Sequence, residues 1–117
     1  MKSKAKMITL KFRVANQDIF DAIKTGGKKV ETRAATERYR RIVAGDKVIL
    51  ICGKNKFEKR VRKIRTFKTI AALLKKYSIK SINPAVKSAE ELRRLYYSFP
   101  GYREKIKKFG LIALEFK

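Results

Sequence analysis

The stretch Lys54–Lys68, "KNKFEKRVRKIRTFK", decides the fold. Its apolar residues Phe57, Val61 and Ile64 stand at i, i+4 and i+7, which is one helical face. The same residues also fit a strand with one bulge, the extra residue shifting the inward face. Periodicity does not choose between the two. Eight of the fifteen residues are Lys or Arg. On a strand, Lys59, Arg60, Arg62, Lys63 and Arg65 cannot all face a core, so at least one face is a positive surface suited to a polyanion's backbone.

Working outward, "KVILIC" (47–52) is β-branched and nearly continuous, which predicts a well-buried strand closed by Gly53. Cys52 there reads as a small buried hydrophobe, with a reactive thiol as the alternative. Downstream, Thr69 is a candidate N-cap for a helix carrying Ile70, Leu73, Leu74 and Tyr77. Asn83-Pro84 breaks the chain. Ser88 and Glu91 form a capping box opening a helix with Leu92, Leu95 and Tyr96 inward. After a turn at Pro100-Gly101, "YREKIKKFG" is short and helical or irregular, and "LIALEFK" is a last strand with Ile112, Leu114 and Phe116 on one face.

Upstream, residues 1–6 read as a disordered basic N-terminal arm, with a single domain over 7–117. Ile8, Leu10, Phe12 and Val14 alternate with polar residues, as in a half-buried strand. Asn16 is a candidate N-cap and Asp18 suits the helix dipole; Gly26 or Gly27 ends the helix. Residues 28–33 predict a strand, with Val30 and Thr32 on one face and Lys29, Glu31 and Arg33 on the other. "AATERYRRIVAGD" is a basic connection. The order is β, α, β, β, β, α, α, β, which predicts an α+β domain: a small, mostly antiparallel sheet or barrel with helices at its ends.

The 117 residues suit one domain, and 44% hydrophobic content suits a folded one. One cysteine excludes an internal disulfide and fits a reducing cytoplasm. The absence of histidine removes Ser-His-Asp triads and His-based acid/base catalysis; with a single cysteine, no zinc site is expected. No cofactor motif is present. No apolar run approaches the ~20 residues of a membrane span, and the basic N-terminus lacks the apolar stretch of a signal peptide. The net charge is +22, whereas solubility needs roughly 2–8. Such an excess points to a polyanionic partner, first nucleic acid, then an anionic membrane surface. A generally Lys-rich proteome is the bland alternative. Self-repulsion favours a monomer.

A strand, a helix ending Ile23, Gly26, Lys28, Val30, Glu31 and Arg33 in the pattern I-x-x-G-x-K-x-V-E-x-R, a basic loop, and Gly45, Asp46, Val48 and Leu50 as G-D-x-V-x-L together resemble the ASCH (ASC-1 homology) domain family. "KRVRKIRTFKTIAALLKKY" and "YYSFPGYREKIKKFGLIALEFK" extend the resemblance over residues 7–117. It implies the PUA-like fold, a compact β pseudo-barrel with flanking helices. Residues 56–66 should then be a strand. It also implies RNA as partner, with DNA as an alternative.

Some small ASCH proteins are N4-acetylcytidine amidohydrolases with a Lys, Thr and Glu site. The lysine carries over to Lys28; the threonine position holds Glu31, with Thr32 adjacent, and residues 78–88 contain no acid to match the glutamate. Ribonuclease activity is also associated with the family. If the chain is an enzyme, Lys28 and Glu31 are the catalytic candidates. Lys28 beside Lys29 and Arg33 would have a lowered pKa, while a surface salt bridge worth ~0–1 kcal/mol is the plain alternative. For nucleic acid, the candidates are Lys28, Lys29 and Arg33; Arg38, Tyr39, Arg40 and Arg41; Lys59, Arg60, Arg62, Lys63 and Arg65; and Tyr97 and Tyr102. Arginines fork onto phosphates and tyrosines stack on bases.

Overall fold

The computed structural model describes residues 7–117; the expected basic arm, 1–6, lies outside them. Five strands and six helices follow in the order β1 (Met7–Phe12), α1 (Gln17–Thr25), β2 (Val30–Ala34), α2 (Glu37–Arg40), β3 (Lys47–Cys52), β4 (Asn55–Phe67), α3 (Ile70–Lys76), α4 (Ile79–Ile82), α5 (Ala89–Ser98), α6 (Tyr102–Phe109) and β5 (Leu111–Phe116). This is the expected α+β architecture.

The ambiguous stretch is a strand. β4 is 13 residues long, and its register shifts between Val61 and Lys63. Val61 pairs with Phe116 and Lys63 with Glu115, so Arg62 is the extra residue of a β-bulge. Phe57, Val61 and Ile64 therefore all turn towards one core, although the last two are three apart. The bulge also lets β4 serve two partners. Its first half, Asn55–Arg60, pairs with β3, and its second half, from Val61, pairs with β5. A strand bent this way forms the corner of a curled sheet.

The strand order is β1-β3-β4-β5-β2. Three neighbouring pairs are antiparallel and β1/β3 is parallel. The parallel pair requires a long crossover, which α1, β2 and α2 supply. The sheet is an open pseudo-barrel whose two edges, β1 and β2, do not pair with each other. Side chains from β2 and from α2, which follows it, reach across the gap to β1. Arg33 Nη2 donates to Lys11 O at 3.3 Å and Arg38 Nη2 to Thr9 O at 2.8 Å. Thr9 and Lys11 are two apart, so their carbonyls share one side of β1. The guanidinium groups thus satisfy acceptors that an edge strand would leave open.

β5 separates two cores. Ile112, Leu114 and Phe116 face one with Leu10, Phe20, Val48, Leu50 and Val61, while Leu111 and Ala113 face the other with Leu73, Ile82, Leu92, Tyr96 and Ile106. Cys52 is buried in the first core, as a small hydrophobe would be. Thr69 caps α3 by accepting from Ala72 N, and Ser88 caps α5 by accepting from Glu91 N. Glu91 completes only half of a capping box, because its carboxylate takes Lys87 N.

Three local expectations need correction. Val14 leaves the strand for a 3-10 turn and is 69% exposed, since the chain swings into α1 after Phe12. Asn16 occupies the N-cap position of α1 but makes no side-chain cap bond. The basic connection contains a helical turn, α2. No helix among the described residues is long and apolar enough to cross a membrane.

Candidate functional site

Gly26 takes the left-handed conformation (φ 88°) and its N–H closes α1 on Ile23 O. Two residues later Lys28 N is bonded back to Ala22 O at 2.9 Å, and β2 begins at Val30. That tight reversal turns the Lys28 side chain inward, where it is 2% exposed. Its ammonium donates to Val30 O at 2.6 Å and to Ile82 O at the end of α4, and lies 3.4 Å from Glu31 Oε1. Three acceptors meet three N–H donors.

Glu31 is shared. Its Oε1 also accepts from Thr32 N at 3.2 Å, and its Oε2 accepts from Arg33 Nε at 2.9 Å. Arg33 lies with its guanidinium 4.8 Å from the Phe12 ring centre and reaches Tyr39 Oη with Nη1 at 3.5 Å. On the other face of β2, Thr32 Oγ1 hydrogen-bonds Tyr96 Oη. Among the described residues no buried side-chain polar atom is left without a partner, so the cluster is held rigidly.

Burial lowers the Lys28 pKa below the ordinary 10.5, and Glu31 opposes that shift. The lowered value expected from the sequence is present with a different main cause. Desolvation dominates, Arg33 contributes least, and Lys29 is exposed to solvent. For Arg33 burial is the largest single influence and works against the charge, but Glu31, with Tyr39 and Tyr102, together outweighs it and the pKa is raised. Burial also pushes the Tyr96 and Tyr102 hydroxyls upward.

These side chains line a cavity of about 250 Å³ where the edges β1 and β2 approach. Lys28, Glu31, Thr32 and Arg33 give its polar lining; Phe12, Tyr96, Phe99 and Tyr102 give aromatic surface; Lys11 and Arg13 stand exposed beside them. Arg13 lies over Phe99 at 5.4 Å, and Phe99 meets Tyr102 edge to face at 5.3 Å. The cavity thus combines aromatic surface and a buried polar cluster with cations at its rim.

The predicted candidates do not converge as one set. Lys28, Glu31, Arg33 and Tyr102 line the cavity. Arg38 and Tyr39 lie beside it, Tyr39 half-buried with the Arg33 and Arg38 guanidinium groups 5.9 and 5.5 Å from its ring centre. Arg40 clamps the fold, donating to Ala35 O at 2.7 Å and Phe109 O at 2.8 Å. Arg41 pairs with Glu37 at 3.0 Å on the surface. Lys59, Arg60, Arg62, Lys63 and Arg65 lie on β4, two strands from either edge; Arg60 donates to Gly45 O at 2.7 Å, and Arg62 and Lys63 are exposed. Tyr97, 40% exposed, belongs to a separate groove.

Sequence reasoning missed Lys11, Phe12, Arg13, Thr32, Asn83 and Phe99 as cavity residues. For Lys11 and Arg13 the sequence signalled exposure alone, since they fall on the solvent side of the first strand's alternation.

The ASCH domain family matches residues 15–117. Among solved structures, the crystal structure of hypothetical protein PH0355 is similar, with a TM-score of 0.80 and 32% identity over 97% of this chain and 98% of that one. The solution structure of protein PF0455 from Pyrococcus furiosus has a TM-score of 0.71 and 29% identity, covering 97% of this chain and 96% of the other. No curated protein matches the chain. The order of elements, the motif around Lys28 and these matches agree: the chain belongs to the ASCH domain family.

Proposed function

We propose that the protein is a single ASCH domain over residues 7–117 that binds RNA through its basic surface, with the cavity at Lys28, Glu31 and Arg33 receiving a nucleotide. The observation that supports this best is the cavity itself. It combines aromatic walls, a polar wall fixed by buried bonds, and exposed Lys11 and Arg13 at its edge, in a chain of net charge +22. At about 250 Å³ it falls just below the usual small-ligand range of about 300–1,000 Å³, which suits one nucleotide rather than two. Polar groups whose rotamers are already fixed lose little freedom on binding.

The test is binding of labelled single-stranded RNA across a salt series. Affinity should fall steeply with salt, and Lys11→Ala with Arg13→Ala should reduce the slope of log K on log salt by about 1.4, at roughly 0.7 per phosphate contact on a single strand. Binding that is unchanged at high salt, or absent at low salt, overturns the reading.

A second reading, a small hydrolase acting on a modified nucleoside or on RNA, draws support from the lowered Lys28 pKa. Lys28 Nζ is already committed to Val30 O, Ile82 O and Glu31, so attack by it requires those bonds to open. Turnover that survives Lys28→Ala removes this reading.

A further inference from the structure

A second concavity of about 580 Å³ lies between the start of α3 and the helices α5 and α6. Four cations line it, Lys68, Arg93, Arg103 and Lys107, against one acid, Glu104. None of the four is in an ion pair among the described residues. Arg93 and Tyr97 are four apart on α5, and Arg103 and Lys107 four apart on α6, so each pair shares a helix face. Tyr97 is 40% exposed, and the Arg103 guanidinium sits 5.3 Å from its ring centre. An exposed aromatic ring beside unpaired cations in a concave groove matches the chemistry of single-strand binding, where bases stack and phosphates are neutralised. A duplex hides its base faces, and a flat anionic bilayer does not follow a concavity.

The groove is also placed to continue the first site. On α5, Leu95 and Tyr96 line the cavity while Arg93 and Tyr97 line the groove. On α6, Tyr102 lines the cavity and Arg103 the groove. The last turn of α5 and the first turn of α6 therefore each send one side chain to the cavity and the next to the groove.

We infer that this groove is a second subsite for single-stranded RNA, which stacks a base on Tyr97, holds flanking phosphates with Arg93, Arg103 and Lys107, and is reached from the cavity over the α5–α6 turn. The inference rests on the RNA-binding role proposed above.

The experiment is fluorescence anisotropy with a labelled oligouridine of about 12 nucleotides, long enough to span more than one subsite. Tyr97→Ala should weaken binding by about tenfold or more, and Tyr97→Phe should restore it, because stacking needs the ring and not the hydroxyl. Arg93→Ala with Arg103→Ala should lower the salt slope by about 1.4. All these side chains are exposed, so the variants should melt as the parent does. If the groove variants bind as the parent does while Lys11→Ala with Arg13→Ala weakens binding, the groove is refuted and the RNA reading stands. If the parent binds no RNA at low salt, both fall. If the groove variants keep RNA but lose binding to phosphatidylserine vesicles, the groove is a membrane contact and the inference is overturned.

Discussion

Lys28 Nζ and Glu31 Oε1 lie 3.4 Å apart with side-chain exposures of 2% and 7%, so this ion pair is buried in the wall of the cavity. Its members are not equivalent. Glu31 keeps a second cation, Arg33, at 2.9 Å, whereas Lys28 is the donor to Val30 O and Ile82 O. In Lys28→Met the carboxylate retains Arg33, but two buried carbonyls lose a donor. Unsatisfied buried acceptors cost about 1–3 kcal/mol each, so the variant should lose about 2–6 kcal/mol in urea unfolding. A loss below about 0.5 kcal/mol would mean that water or a shifted side chain replaces the ammonium.

The same lysine sets a pH dependence. Its folded pKa is below the unfolded value of 10.5, so between the two the unfolded chain holds the extra proton. Stability therefore rises with pH across that window, and the penalty for burying the charge is fully present below it. Above pH 10 Tyr77 acts in the opposite sense. Burial and its hydrogen bond to Glu115 push its hydroxyl up to about 12, so stability falls as the unfolded chain ionises first. Unfolding curves of the parent and Lys28→Met should diverge as pH climbs towards 10.5, since only the parent carries the buried lysine. Parallel curves would contradict burial as the cause of the shift.

How much of this was legible in the sequence depended on the distance a residue's partners lie along the chain. The α1 stop at Gly26 or Gly27, the caps at Thr69 and Ser88, and the inward face of β5 follow from local pattern, and the structure keeps them, with Gly26 as the stop. The face assignment in β2 was also legible, because Glu31 and Arg33 pair on one side and Thr32 turns to Tyr96 on the other. The depth of Lys28 was not, because one acceptor, Ile82 O, is 54 residues away. Lys11 and Arg13 reach the cavity only because the sheet curls until its two edges approach, which no window of sequence contains. β4 was ambiguous for a physical reason: a helix and a bulged strand place Phe57, Val61 and Ile64 on the same side. The resemblance to ASCH domains resolved it.

Two glycines with positive φ should respond differently to alanine. Gly26 has φ 88° and open space around a built Cβ, so Gly26→Ala should cost about 1–2 kcal/mol, the ordinary penalty of a left-handed residue with a side chain. Gly110 links α6 to β5 at φ 77° and ψ −160°, a region that essentially only glycine occupies, and a Cβ there would stand 2.3 Å from Phe67 O. Backbone must move to admit it. Gly110→Ala should therefore be the costlier change by at least about 1–3 kcal/mol. Equal midpoints in thermal melts would show that the α6–β5 junction yields more easily than its geometry implies.

The bulge at Arg62 makes a sharper prediction about chain length in β4. Val61 pairs with Phe116, Lys63 with Glu115 and Ile64 with Leu114, so Arg62 alone interrupts the count. Deleting Arg62 leaves Val61, Lys63 and Ile64 consecutive and opposite the same three partners. Val61 and Ile64 become two apart and still face the first core. That deletion removes the bend, which the strand needs to serve both β3 and β5, but keeps every side chain on its face. Deleting Lys59 instead shifts the part of β4 paired with β3 by one residue. Phe57, opposite Leu50, would then turn from the core to solvent. The Arg62 deletion should stay folded with a lower melting temperature and a native-like amide spectrum, and the Lys59 deletion should lose that spectrum. If both unfold alike, the bend matters as much as the register; if both fold, β4 does not fix the register of the sheet.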